Sequence, residues 1–145
     1  MAVVYLGLGT NLGNKEDNLK KAIVFLDDLG EIISISSFHR SKPWGFESEN
    51  DFLNAVVSIE TSFSPFELLA GTQEIEKKMG RTNKSNENYS DRVIDIDILF
   101  YDELILDTLE LKIPHPLLQE RDFVLIPLAE IAPNLIRSVV QNLES

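Results

Sequence analysis

In Arg92-Val93-Ile94-Asp95-Ile96-Asp97-Ile98-Leu99-Phe100-Tyr101, β-branched residues alternate with aspartate, the period-two pattern of a half-buried strand. Asp95 and Asp97 then leave one face, and Ile94, Ile96 and Ile98 the other. Same-face neighbours on a strand are about 6.7 Å apart. Across that span two carboxylates can hold a pair of magnesium ions about 3.5–4 Å apart, with a polyphosphate completing their shells. An Asp-x-Asp pair is also common on solvated strand faces, so the pair alone favours the plainer alternative and its surroundings must decide.

Upstream, 3–8 reads as a buried first strand and Gly9-Thr10-Asn11-Leu12-Gly13 as a tight turn. A helix starts near Lys15 with Asn14 as N-cap and ends at Gly30; Leu19, Ala22, Ile23, Leu26 and Leu29 form its apolar face. A second strand carries Ile32, Ile33, Ile35 and Phe38, and 41–50 reads as a long loop. The third strand spans 52–60, with Asn54 among Phe52, Val56 and Ser58 on one face. Ser64-Pro65-Phe66-Glu67 is a capping box opening a second helix that runs to Gly80. Between Arg81 and Arg92 the chain is almost wholly polar, and 82–91 has the composition of a mobile lid that orders over bound phosphates. Beyond the aspartate strand, 104–106 and 109–113 suggest a small hairpin, and 117–132 short helical pieces.

This order predicts an α+β fold, a ferredoxin-like βαββαβ core with helices on an antiparallel sheet, plus a C-terminal hairpin and a short helical segment. All 145 residues fit one domain, and 43% apolar content supports a real core. The net charge of -11 disfavours duplex nucleic acid or an anionic membrane as the main partner. No cysteine is present, which removes disulfides and thiolate catalysis. No basic leader and no apolar run of the ~18 residues that span a bilayer is seen, so a soluble, cytoplasmic monomer is expected.

Arg81, Arg92, Arg121 and His115 are the cationic groups that phosphoryl chemistry uses. Each has a simpler alternative: a helix C-terminal cation for Arg81, surface ion pairs for Arg92 and Arg121, a turn or core histidine for His115. Gly7-x-Gly9-x-x-x-Gly13 lacks the spacing of a dinucleotide fingerprint.

Six ordered pieces resemble the 6-hydroxymethyl-7,8-dihydropterin pyrophosphokinase family of folate biosynthesis, and together they cover nearly the full chain. They are Leu8-Gly9-Thr10-Asn11-Leu12-Gly13, Ser41-Lys42-Pro43-Trp44-Gly45, Phe52-Leu53-Asn54-Ala55-Val56, Gln73-Glu74-Ile75-Glu76 with Gly80-Arg81, the aspartate strand, and Ile113-Pro114-His115-Pro116 with Arg121-Asp122-Phe123-Val124-Leu125. The resemblance implies an ATP-dependent diphosphotransferase whose small-molecule partners are ATP and the hydroxymethyl dihydropterin. It implies that Asp95 and Asp97 hold two magnesium ions, and that these two with Arg81 and Arg92 form the catalytic group. Gln73, Glu76, Arg81, Lys84, Arg92, Ile98, His115 and Arg121 would then contact ATP, and Ser41, Trp44, Phe52, Asn54, Asp95 and Phe123 the pterin. The chain departs from the family pattern at Ser90-Asp91, where a neutral pair is usual, and at Phe52, where tyrosine is common. Lys84 stands near a position that often carries a second arginine. A ferredoxin-like small-molecule sensor without catalysis is the competing expectation; an RNA binder is disfavoured by the charge and the lack of an aromatic RNA-binding strand motif.

Overall fold

The structure, a computed structural model, describes residues 1–42, 50–80, 93–116, 118 and 121–135. Trp44, Arg81, Lys84, Arg92 and the expected lid at 82–91 lie outside these residues.

Strand β1 (Ala2–Thr10) is antiparallel to both β4 (Phe52–Thr61) and β5 (Asp95–Tyr101). On the far side of β4 pair β2 (Glu31–Ile35) and β3 (His39–Ser41), again antiparallel. The order β2-β4-β1-β5 inserts β4 between β1 and β2, and β1 between β4 and β5. Two split βαβ units therefore interlock, which is the ferredoxin-like arrangement, and the fold is α+β.

Helices α1 (Lys15–Leu26) and α2 (Pro65–Lys78) cover one sheet face. Their Leu19, Ala22, Leu26, Leu68 and Ile75 pack with Val4, Leu6, Leu8, Val57, Ile59, Ile96 and Ile98. The caps form as the sequence predicts. Asn14 Oδ1 accepts from Asp17 N–H, and Ser64 and Glu67 exchange both hydrogen bonds of the capping box. On the other face lies α3 (Asp122–Ile131), against Val56, Leu99 and Phe100.

Several expectations need correction. Gly9 and Thr10 continue β1, so the turn begins at Asn11. Helix α1 stops at Leu26, short of Gly30, where Asp27 and Asp28 oppose the negative end of the helix dipole. The second strand is broken at Ser36, whose hydroxyl accepts from Val56 N–H at 2.9 Å and interrupts the regular ladder; β3 resumes pairing with β4 at His39 and ends at Ser41, the first residue of the expected loop. Only Leu106–Asp107 (β6) and Lys112–Ile113 (β7) form the hairpin ladder. Among the helical pieces expected over 117–132, α3 is one ten-residue helix that accommodates Pro127, with a 3-10 residue at 118 before it and a helical turn at 133–135 after it. Val124, Leu128 and Ala132, spaced four apart, hold it to the sheet.

Candidate active site

The aspartate strand folds as its pattern requires. Ile94, Ile96 and Ile98 are buried in the helix-covered core, and Asp95 and Asp97 emerge on the opposite face. Register shifts where Tyr5 pairs Phe100 and Leu6 pairs Ile98, so Leu99 is an extra residue in β5, a bulge that turns Leu99 and Phe100 together into the second core.

Cross-strand pairing aligns the candidate residues in rows. His39 pairs Asn54, Asn54 pairs Gly9, and Gly9 pairs Asp95. In the next row Val56 pairs Gly7 and Gly7 pairs Asp97; Ser41 pairs Phe52 on the outer side. Paired residues point to the same side of a sheet. Asn54 and Asp95 therefore face each other across Gly9, separated by two strand spacings, roughly 10 Å. The two glycines differ. A Cβ at Gly7 would meet Leu99 Cδ2 at 3.4 Å, so the bulge residue occupies that place. At Gly9 the borders are Asn54 Oδ1 at 3.2 Å and Phe52 Cδ1 at 3.6 Å.

Two basic side chains gather at Asp97. Arg121 Nη1 is 3.7 Å and His115 Nε2 4.0 Å from its Oδ2, both longer than a hydrogen bond. The Arg121 and His115 side chains are only 9% and 18% exposed, which reduces solvent screening of both contacts. His115 is held by its N–H to the Leu99 carbonyl, so the bulge that fills Gly7 also anchors the histidine. The guanidinium of Arg121 lies 5.7 Å from the centroid of the Phe123 ring, within cation–π range. That contact fixes a half-buried aromatic group next to the carboxylates.

Glu76 and Ile98, expected beside the nucleotide, are placed differently from Asp95 and Asp97. The Ile98 side chain is in the helix-covered core. Glu76 is 2% exposed, and its Oε2 accepts from Ile96 N–H at 2.9 Å. It thereby satisfies a backbone donor on the outer edge of β5, between the two aspartates. Gln73 is exposed on α2.

The donor set is chemically suited to magnesium. Among the described residues no three His, Asp or Glu side chains form a metal cage, but magnesium is commonly held by one or two carboxylates while phosphates and waters complete the octahedron. Two hard carboxylates, two aromatic rings, one amide, an arginine and a histidine are together suited to a flat heterocycle beside a polyphosphate.

The family model for 7,8-dihydro-6-hydroxymethylpterin-pyrophosphokinase matches residues 5–133. A 2-amino-4-hydroxy-6-hydroxymethyldihydropteridine pyrophosphokinase from Aquifex aeolicus is 46% identical over 139 residues, 96% of this chain and 86% of that protein. One from Porphyromonas gingivalis is 46% identical over 136 residues, 92% of each chain. A crystal structure of Plasmodium falciparum HPPK-DHPS with pterin and p-hydroxybenzoate superimposes with a TM-score of 0.71 at 18% identity. That match covers 91% of this chain and 40% of the larger one, a likeness of fold.

Proposed function

This chain belongs to the 7,8-dihydro-6-hydroxymethylpterin-pyrophosphokinase family, and from that premise we propose that it transfers diphosphate from ATP to the hydroxymethyl group of 6-hydroxymethyl-7,8-dihydropterin, in folate biosynthesis, with release of AMP. The observation that carries this reading is the row Asn54–Gly9–Asp95, with Asp97 beside it under Arg121 and His115.

In this reading the pterin lies over Gly9. Asn54 and Asp95 bond its polar edge, and the rings of Phe52 and Phe123 contribute apolar area and stacking. The substrate hydroxyl oxygen forms a bond to the β-phosphorus of ATP, the bond from that phosphorus to the α-phosphate oxygen breaks, AMP leaves, and the hydroxyl proton passes to solvent. Magnesium held by Asp95 and Asp97, two ions in this proposal, supplies neutralisation of the polyphosphate charge. Arg121 and His115 bind and orient phosphate oxygens, and Arg81, Arg92 and Lys84 join them from the polar segment. Gln73 serves the nucleotide side, Glu76 acts through β5, and Ser41 and Trp44 complete the pterin side. No protein nucleophile is required, because positioning and charge stabilisation supply most of the acceleration in phosphoryl transfer.

Incubation with ATP, magnesium and the reduced hydroxymethylpterin tests the reading. AMP should form in one-to-one ratio with pterin diphosphate, and only when all three are present. ADP as the nucleotide product, or no turnover, would overturn it.

A further inference from the structure

A chain of contacts that starts on α3 ends at Asn54. Glu130 Oε2 accepts from the Ser37 backbone N–H and from the Ser37 hydroxyl, each at 2.7 Å, and Glu130 Oε1 lies 3.0 Å from His39 Nε2. An ionised carboxylate only accepts, so His39 carries a proton on Nε2. These bonds from His39 and Ser37 hold the Glu130 carboxyl down at about 2, so it is ionised at neutral pH. His39 and Ser41 bound β3. Asn54 Nδ2 lies 3.2 Å from the His39 carbonyl oxygen and 2.7 Å from Ser41 Oγ. A carbonyl oxygen also only accepts, so the group facing it must be the NH2, and both its hydrogens are engaged. Asn54 Oδ1 is thereby turned toward the space over Gly9.

We propose that Glu130 is a positioning residue: it pins Ser37 and His39 to α3, fixes β3, and through the His39 carbonyl and Ser41 hydroxyl presents Asn54 to the ligand as a hydrogen-bond acceptor. The site then selects heterocycles with an N–H donor at that edge and disfavours those with an acceptor there. The ligand half of this inference rests on the pterin reading above.

The test compares Glu130→Ala and Glu130→Gln with wild type. The Asn54 side-chain amide signals, identified by their loss in Asn54→Ala, are followed by NMR without any ligand, and KM for pterin and for ATP are measured separately. In Glu130→Ala the Asn54 amide signals should move and exchange faster with solvent. KM for the pterin should rise about tenfold, the loss of roughly one well-placed hydrogen bond, with kcat and KM for ATP within about twofold. Glu130→Gln should recover most of both, because its amide oxygen still accepts from Ser37 and its NH2 can donate to His39 in the other tautomer. Unchanged Asn54 signals in Glu130→Ala, equal losses for both substrates, or a Gln variant as impaired as Ala would overturn the proposal. Failure of the wild-type protein to bind pterin would instead overturn the pterin reading, and the ligand-free NMR comparison would still judge the role of Glu130.

Discussion

A methyl group added at Gly9 would stand 3.2 Å from Asn54 Oδ1 and 3.6 Å from Phe52 Cδ1, in the space between the proposed pterin contacts. Gly9 sits in regular strand pairing with both neighbours, so alanine is compatible with its backbone and the fold should survive. Gly9→Ala is expected to leave the melting temperature nearly unchanged while raising KM for the pterin about tenfold, a loss near 1.4 kcal/mol; KM for ATP should barely move. Separate saturation curves for the two substrates check this, and a matching rise in both would contradict it. Phe123→Ala should show the same asymmetry in calorimetry, since it removes ring area rather than a phosphate contact. The faces of Asn54 and Asp95 were legible from the sequence because period two fixes them, whereas Phe123 entered only through the family motif. The place of Gly9 was not legible: read locally, a glycine after an apolar run signals a turn, and only pairing on both sides places it in the middle of a sheet.

At the scale of elements, β5 is an edge strand whose outward Ile96 N–H is answered by Glu76 from α2. Removing that acceptor leaves a buried donor without its bond, so Glu76→Ala should cost about 1–3 kcal/mol of stability, read by urea denaturation. A cost near zero would contradict a role in holding the aspartate strand. The tie between α3 and the β2–β3 connection makes a pH prediction. The folded-state carboxyl of Glu130 lies near 2 against an ordinary 4.5, so its contribution to stability is present above about 4.5 and is lost as pH falls through about 2. A carboxyl carbon NMR titration of Glu130 should have its midpoint near 2, and a midpoint near 4.5 would contradict the three bonds to Ser37 and His39. Helix caps were readable because Asn14 and Ser64 act within one turn. The β5 bulge and the Glu130–His39 contact were not, since both depend on elements distant in sequence.

Across the whole molecule the ferredoxin-like sheet is covered by α1 and α2 on one face, while α3 packs over part of the other and the carboxylates, Asn54 and Gly9 share that second face. A chain of net charge -11 repels a polyphosphate at long range. The buried Arg121 guanidinium beside Asp97, with His115 next to it, offsets that charge locally. The interlocked βαβ order was legible because helix and strand periods alternate cleanly along the chain. The extent of α3 was not, because Pro127 breaks the local helical signal and tertiary packing of Val124 and Leu128 overrides it. The most direct test of the central claim is AMP release by Asp95→Ala and Asp97→Ala, measured with circular dichroism on the same samples. Each variant should keep the wild-type spectrum and lose activity by about a hundredfold or more, and chelating magnesium should silence the wild-type enzyme. Near-normal AMP release by either variant, with the fold intact, would contradict the assignment of this carboxylate pair as the centre of the reaction.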